Sequence, residues 1–217
     1  MNLLRILLII SVFQLQAQKT IDPNYFSNPL DIPMVLSGSF GELRSNHFHS
    51  GLDIKTQQRS GVPIYAPADG YVSRIKVGHY GYGKALYVKH PNGYSTVYAH
   101  LQKFETTIQD FVKKSQYKKE RYEIELFPKE SSLLVKKGDL IAYTGNSGSS
   151  GGPHLHYEIR DAYSRPMNPM LFGLEIPDTK DPSVTSVLAY PVSDDATVNQ
   201  SSEPVKLRLI KQKDGSY

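Results

Sequence analysis

The stretch Thr144–Arg160, TGNSGSSGGPHLHYEIR, decides how the rest of the chain is read. Gly145, Gly148, Gly151 and Gly152 make a loop with little side-chain bulk, and Pro153 closes it. His154-Leu155-His156 then opens a run with the character of a β-strand. Successive strand side chains point to opposite faces, so His154 and His156 share one face and Leu155 takes the other. Two imidazoles side by side on a rigid strand, approached past a low-profile glycine loop, suit a metal or hydrolytic site.

Their partners must be His, Asp or Glu, because the chain has no cysteine; disulfides, Cys-based zinc sites and thiol chemistry are excluded. The 217 residues leave room for one good-sized domain and part of another. A net charge of +4, dispersed along the chain, lacks the basic patch of a nucleic-acid binder. With 16 glycines and 14 prolines, many short strands and turns are expected rather than a helical bundle. The N-terminus, MNLLRILLIISVFQLQAQ, has Arg5, the apolar run Ile6–Phe13 and the small residue Ala17. It reads as a signal peptide over 1–18, since a membrane-spanning helix needs ~20 apolar residues. An exported mature chain without a stable membrane anchor is expected, in the periplasm or cell envelope, with extracellular release as the other possibility.

Residues 19–36, punctuated by Pro23, Pro29 and Pro33, read as an extended arm on the domain surface. Leu52-Asp53-Ile54 reads as a strand with Asp53 on the face opposite its neighbours. PIYAPADGYV (63–72) has the pattern of a hairpin turning at Ala68-Asp69-Gly70, and Lys84–His90 and Tyr94–Leu101 are strands joined at Pro91-Asn92-Gly93. Residues 103–131 break this pattern. Ile108, Phe111, Val112 and Ser115 recur at helical spacing, so a basic amphipathic helix is expected from about Thr107 to Arg121. Its lysines are either a solvated face or a groove wall for an anionic polymer. Beyond Asp178, VTSVLAYPV and VKLRLI look like extra strands or the start of a truncated second β module over 178–217. Forty residues are too few to bury a core alone.

His49-Ser50-Gly51-Leu52-Asp53 offers one imidazole and one carboxylate around a glycine that disfavours a helical turn. The HExxH helix common among zinc proteases is absent, so histidine is the best remaining proton carrier near neutral pH. Tyr98, two residues before His100, shares its face if the strand is regular, and Glu158 follows His156 by the same spacing. Glu158 can hold an imidazole N–H or form a strand-surface salt bridge.

Taken in order, FHSGLDI (48–54), YAHL (98–101) and GNSGSSGGPHLHYEIR (145–160) resemble the signature blocks of the lysostaphin-type zinc metallopeptidases. The segments at 63–72 and 135–145 match as well, and the likeness runs from about Ser37 to Phe172. The helical segment at 103–131 departs from it, at a place that bears on groove shape and substrate preference.

The resemblance implies a mainly β fold, an antiparallel sheet or barrel-like duplicated hybrid motif, with the metallopeptidase domain over 37–175. It implies a Zn2+ endopeptidase that hydrolyses peptide bonds in peptidoglycan cross-links or stems through a metal-activated water. His49, Asp53 and His156 correspond to the metal ligands, and His100 and His154 to the two catalytic histidines. The alternatives are a non-catalytic wall-binding activator of another hydrolase and a zinc protease acting on protein substrates.

Overall fold

A computed structural model of the chain describes residues 21–174, 176, 177, 184 and 186–210. The expected signal peptide and the residues after 210 lie outside the described residues. The chain divides into two compact units, Met1–Pro177 and Asp178–Tyr217.

In chain order the strands of the first unit are β1 (Leu36–Gly38), β2 (Leu52–Lys55), β3 (Pro63–Tyr65), β4 (Gly70–Val77), β5 (Lys84–Lys89), β6 (Ser95–Ala99), β7 (Lys103–Phe104), β8 (Ile124–Leu126), β9 (Leu134–Val135), β10 (Leu140–Tyr143), β11 (His154–Arg160) and β12 (Pro166–Met167). One helix, α1 (Thr106–Lys119), lies between β7 and β8. The larger sheet runs β1-β2-β11-β6-β5-β4-β8, with β12 paired to β11 and β9 to β4; β3-β10-β7 form a second sheet. These pairings are antiparallel.

Local chemistry explains the connections. Gly93 takes a left-handed φ of 87° in the Pro91-Asn92-Gly93 turn, which joins β5 to β6 as a hairpin. The turn at Ala68-Asp69-Gly70 does not close a hairpin. β3 pairs with β10, whereas β4 pairs with β5. The reason is that Asp69 is tied to a distant turn: its carboxylate accepts from the Lys137 amide at 2.8 Å and from Lys136 Nζ at 3.1 Å.

Apolar residues on one face of the larger sheet, including Leu52, Ile54, Leu86, Tyr98, Leu155 and Tyr157, share a core with Ile64, Phe104 and Ile141 of the smaller one. The arm is more than a surface strap, because its apolar side chains are worth burying: Phe26, Leu30 and Met34 enter that core. Helix α1 is close to its expected span. Ile108 and Val112 are buried, while Lys113, Lys114, Lys118 and Lys119 are exposed. Glu105 caps its start by accepting from the Thr107 amide, and Lys118 and Lys119 complement the dipole at its end. Within the second unit, β13 (Val187–Ala189) pairs antiparallel with β14 (Val205–Leu207).

A polar chain crosses the core behind the β5–β6 turn. His90 Nδ1 donates to the Asp69 carbonyl at 2.8 Å, and its Nε2 lies 2.9 Å from the Thr96 hydroxyl, which lies 2.8 Å from the Tyr98 hydroxyl. A neutral ring satisfies every member: Tyr98 donates to Thr96, and Thr96 donates to Nε2. Burial holds the His90 pKa below its ordinary value, against the opposing pull of Asp69. The unfolded chain therefore binds more protons than the folded one below about pH 6.5, and stability falls as pH drops through that window. His90→Leu should cost about 1–3 kcal/mol at pH 7.5. In urea unfolding, the gap between it and the parent chain should narrow from pH 7.5 to pH 5.5.

Candidate metal centre and active site

β11 lies between β2 and β6, and its register places the candidate residues. His156 stands opposite Asp53 on β2 and Ala99 on β6, and Glu158 stands opposite Val97. Leu155, Tyr157 and Ile159 point into the core at 0% exposure. The alternate residues His154, His156 and Glu158 therefore emerge on the other face together with Asp53. Gly51 lets the chain before β2 press against β11. A Cβ there would sit 2.3 Å from the Tyr157 carbonyl and 2.8 Å from Glu158 Cγ. That approach carries His49 over the sheet to meet the β11 pair.

Three ligand atoms converge. His49 Nε2 lies 3.0 Å from His156 Nδ1 and 3.1 Å from Asp53 Oδ1, and His156 Nδ1 lies 3.0 Å from the same oxygen. The outward nitrogen of each ring is committed elsewhere. His49 Nδ1 donates to the Ser39 carbonyl at 2.8 Å, and His156 Nε2 donates to Glu158 at 2.8 Å. Each neutral ring thus presents a lone pair inward, beside a carboxylate oxygen. With the rings neutral, three acceptors at 3.0–3.1 Å have no donor among them and need a positive charge between them, a proton or a metal ion. His49, Asp53 and His156 fit a metal ion on this ground.

His100 and His154 sit beside that point, with ring centroids 4.8 Å apart. Both are anchored by the glycine loop. His100 Nδ1 donates to the Ser147 carbonyl at 2.9 Å, and His154 Nδ1 donates to the Gly152 carbonyl at 2.9 Å. Both neutral rings therefore keep Nε2 as the acceptor nitrogen. His154 Nε2 is 3.4 Å from Asp53 Oδ1. His100 directly follows β6 with φ 58°, a left-handed backbone that costs a non-glycine residue about 1–3 kcal/mol. This kink turns its side chain away from the strand alternation and into the site.

The electrostatics are dominated by Asp53. Burial opposes its ionisation, but in the absence of a cation protons on the facing nitrogens of His154, His156 and His49 form hydrogen bonds that outweigh burial and hold the carboxyl well below the usual range. Burial depresses His100 to about 4. Burial depresses His154 too, but the hydrogen bond its protonated Nε2 would make to Asp53 raises it past its ordinary value, and His156 is raised likewise by Asp53 and Glu158. Protons and a cation compete for the same three atoms, so metal binding here releases protons.

The site opens into a cleft of about 390 Å³ whose rim includes His47, Gly81, Ser149 and Gly151. Two of its walls are not apparent from sequence order. Tyr98 is fully buried in the core and bonded to Thr96, because the kink at His100 breaks the shared face. The aromatic wall is instead Tyr82, whose ring centroid lies 5.1 Å from His156 and 6.3 Å from His100. Arg44 is the second. Its Nη2 lies 2.9 Å from Asp53 Oδ2 and 3.1 Å from Glu42, so Asp53 keeps only Oδ1 toward the cleft group. Arg44 and Asp53 are nine positions apart, and no local pattern announces their contact.

The loops that carry Tyr82 and the glycines meet without room for side chains. A Cβ on Gly148 (φ +75°) would stand 2.3 Å from the Gly81 carbonyl and 2.3 Å from the Gly83 amide. Gly148→Ala should therefore lower the thermal unfolding temperature, with at least about 1–2 kcal/mol from the left-handed backbone alone. Gly151→Ala, with nothing within 4 Å of its Cβ, should stay within about 0.5 kcal/mol of the parent in the same scan.

The profile of Peptidase family M23 matches residues 47–117 and 129–169. Most of α1 falls inside the match, so the unmatched part is narrower than the 103–131 segment singled out from sequence. The DD-carboxypeptidase/endopeptidase Mpg of Neisseria meningitidis serogroup B is 32% identical over 136 residues, 63% of this chain and 25% of that protein. The peptidoglycan DD-endopeptidase ShyB of Vibrio cholerae is 32% identical over 160 residues, 73% of this chain and 31% of that protein. The matched part is thus about a quarter to a third of the length of these relatives. Among solved structures, a catalytic domain of the prophage-encoded M23 protein EnpA from Enterococcus faecalis superposes with a TM-score of 0.50 at 23% identity, covering 68% of this chain and 98% of that one. That likeness bears on the fold alone. The profile match spans both halves of the histidine constellation, and on it the chain belongs to peptidase family M23.

Proposed function

We propose that the chain is an exported zinc endopeptidase that hydrolyses peptide bonds in peptidoglycan. In this reading His49, Asp53 and His156 hold the metal, and His100 and His154 move protons. The observation that carries it is the convergence of three acceptor atoms with no donor among them, in an open cleft flanked by two acceptor imidazoles. Two imidazoles and one carboxylate leave a divalent ion with net positive charge and room for a further ligand, the donor set of a hydrolytic zinc site. Family membership and the relatives' names favour a peptidoglycan peptide as substrate. The apolar run near the N-terminus favours export.

Zinc held there would polarise a peptide carbonyl and acidify water. The remaining work falls to the chain. His100 and His154 each hold Nε2 free of a proton, because the loop carbonyls of Ser147 and Gly152 occupy Nδ1–H. One of them takes the proton from the attacking water, and the pair supports charge developing on the carbonyl oxygen. Tyr82 walls the cleft, and the adjoining glycine loop, where Gly151 has nothing within 4 Å of its Cβ position, leaves the rim low enough for a polymer strand.

The test is digestion of purified sacculi with and without chelator, with released muropeptides identified by mass. Chelator-sensitive release of cleaved peptides is expected, and no release by the zinc-loaded chain would overturn the proposal. His156→Ala should lose zinc. His154→Ala should keep zinc and lose roughly 10²-fold or more in turnover; full activity in that variant would refute the division of roles.

A further inference from the structure

We infer that Glu158 is a positioning residue for His156: its buried carboxylate holds the imidazole so that Nδ1 faces Asp53. The inference rests on the metal-site reading above and extends it from the ligands to the group behind one of them.

Glu158 is 0% exposed, which is exceptional for a carboxylate and costly unless it is paired and hydrogen-bonded. An ion pair with Arg160 already answers the charge, through Arg160 Nε at 2.5 Å from Oε2. The other oxygen does something different. Oε1 takes His156 Nε2 at 2.8 Å, the Ser50 hydroxyl at 2.6 Å and the Tyr82 hydroxyl. The donors come from β11 itself, from the residue beside His49, and from the loop that walls the cleft. Three donors on one oxygen leave no doubt about its role as an acceptor. With N–H fixed on Nε2, the lone pair must lie on Nδ1, the atom 3.0 Å from both His49 Nε2 and Asp53 Oδ1.

The surroundings are shaped for this contact. Gly51 has no side chain where a Cβ would come within 2.8 Å of Glu158 Cγ. Tyr82 covers the His156 ring with its own ring while its hydroxyl reaches Glu158. A residue serving only a strand-surface salt bridge would need neither feature.

The experiment compares zinc affinity, by competition with a chromophoric chelator, in the full chain and its Glu158→Gln, Arg160→Met and double E158Q/R160M variants. Folding is checked by circular dichroism, and Co2+ absorption reports the ligand field. The parent should bind zinc. Glu158→Gln should bind it about 10- to 100-fold more weakly, with an altered Co2+ spectrum. Arg160→Met should melt earlier yet keep its affinity within about threefold, because the donor to Oε1 is untouched. The double variant removes both charges of the pair and keeps the inference testable if Glu158→Gln alone does not fold; it too should show the weakened affinity. A folded Glu158→Gln or double variant with parental affinity and spectrum would overturn the inference. So would an equal loss in Arg160→Met, which would make the pair a folding element. Absence of zinc binding by the parent would instead bring down the metal-site reading itself.

Discussion

The antiparallel pairing of β11 with β2 is the constraint on which the structure depends. It sets Leu155 against Ile54 and Tyr157 against Leu52 on the core side, and His156 against Asp53 on the other. A slip of one residue would exchange the two faces, burying imidazoles in the core and exposing Leu155 and Tyr157. The apolar burial that stabilises the sheet is therefore the same force that holds Asp53 and His156 in register. Site geometry and core packing cannot be varied independently along this strand.

Charge is handled one layer out from the convergence point. Asp53 meets Arg44, and Glu158 meets Arg160. Each acid is directed toward the histidines by one oxygen and toward an arginine by the other. Gly38 makes room for the first pair, since a Cβ there would come within 2.5 Å of Arg44 Nη2 and 2.6 Å of Asp53 Oδ2. Gly51 makes room for the second. These glycines are packing requirements of the site rather than hinges. The glycine loop plays a related part, since its carbonyls fix the ring orientation of His100 and His154.

Much of this was readable beforehand where the signal was local. Alternation along Leu52–Lys55 and His154–Arg160 is a period-two pattern, and it correctly separated Asp53, His154 and His156 from their core-facing neighbours. Helix α1 was readable from the spacing of Ile108 and Val112. The turn at Ala68-Asp69-Gly70 misled, because turn residues announce a reversal but not the sheet to which the next strand goes. Tyr98 misled because strand alternation was extended through His100, where the backbone turns left-handed. The arm misled because proline spacing says nothing of where Phe26, Leu30 and Met34 are buried.

The sequence by itself determined the chemical inventory: histidine and carboxylate without cysteine, and the strand faces on which those groups stand. Side-chain alternation and residue chemistry are local properties, and both survive folding. Only the tertiary structure decided which nitrogen of each ring faces inward, that Tyr82 rather than Tyr98 walls the cleft, and that Arg44 and Glu158 stand behind the ligands. Those outcomes depend on hydrogen bonds between residues far apart in the chain, such as His100 with Ser147 or Ser50 with Glu158. Contacts of that kind are set by how the sheet and its loops close, and no window of sequence contains both partners.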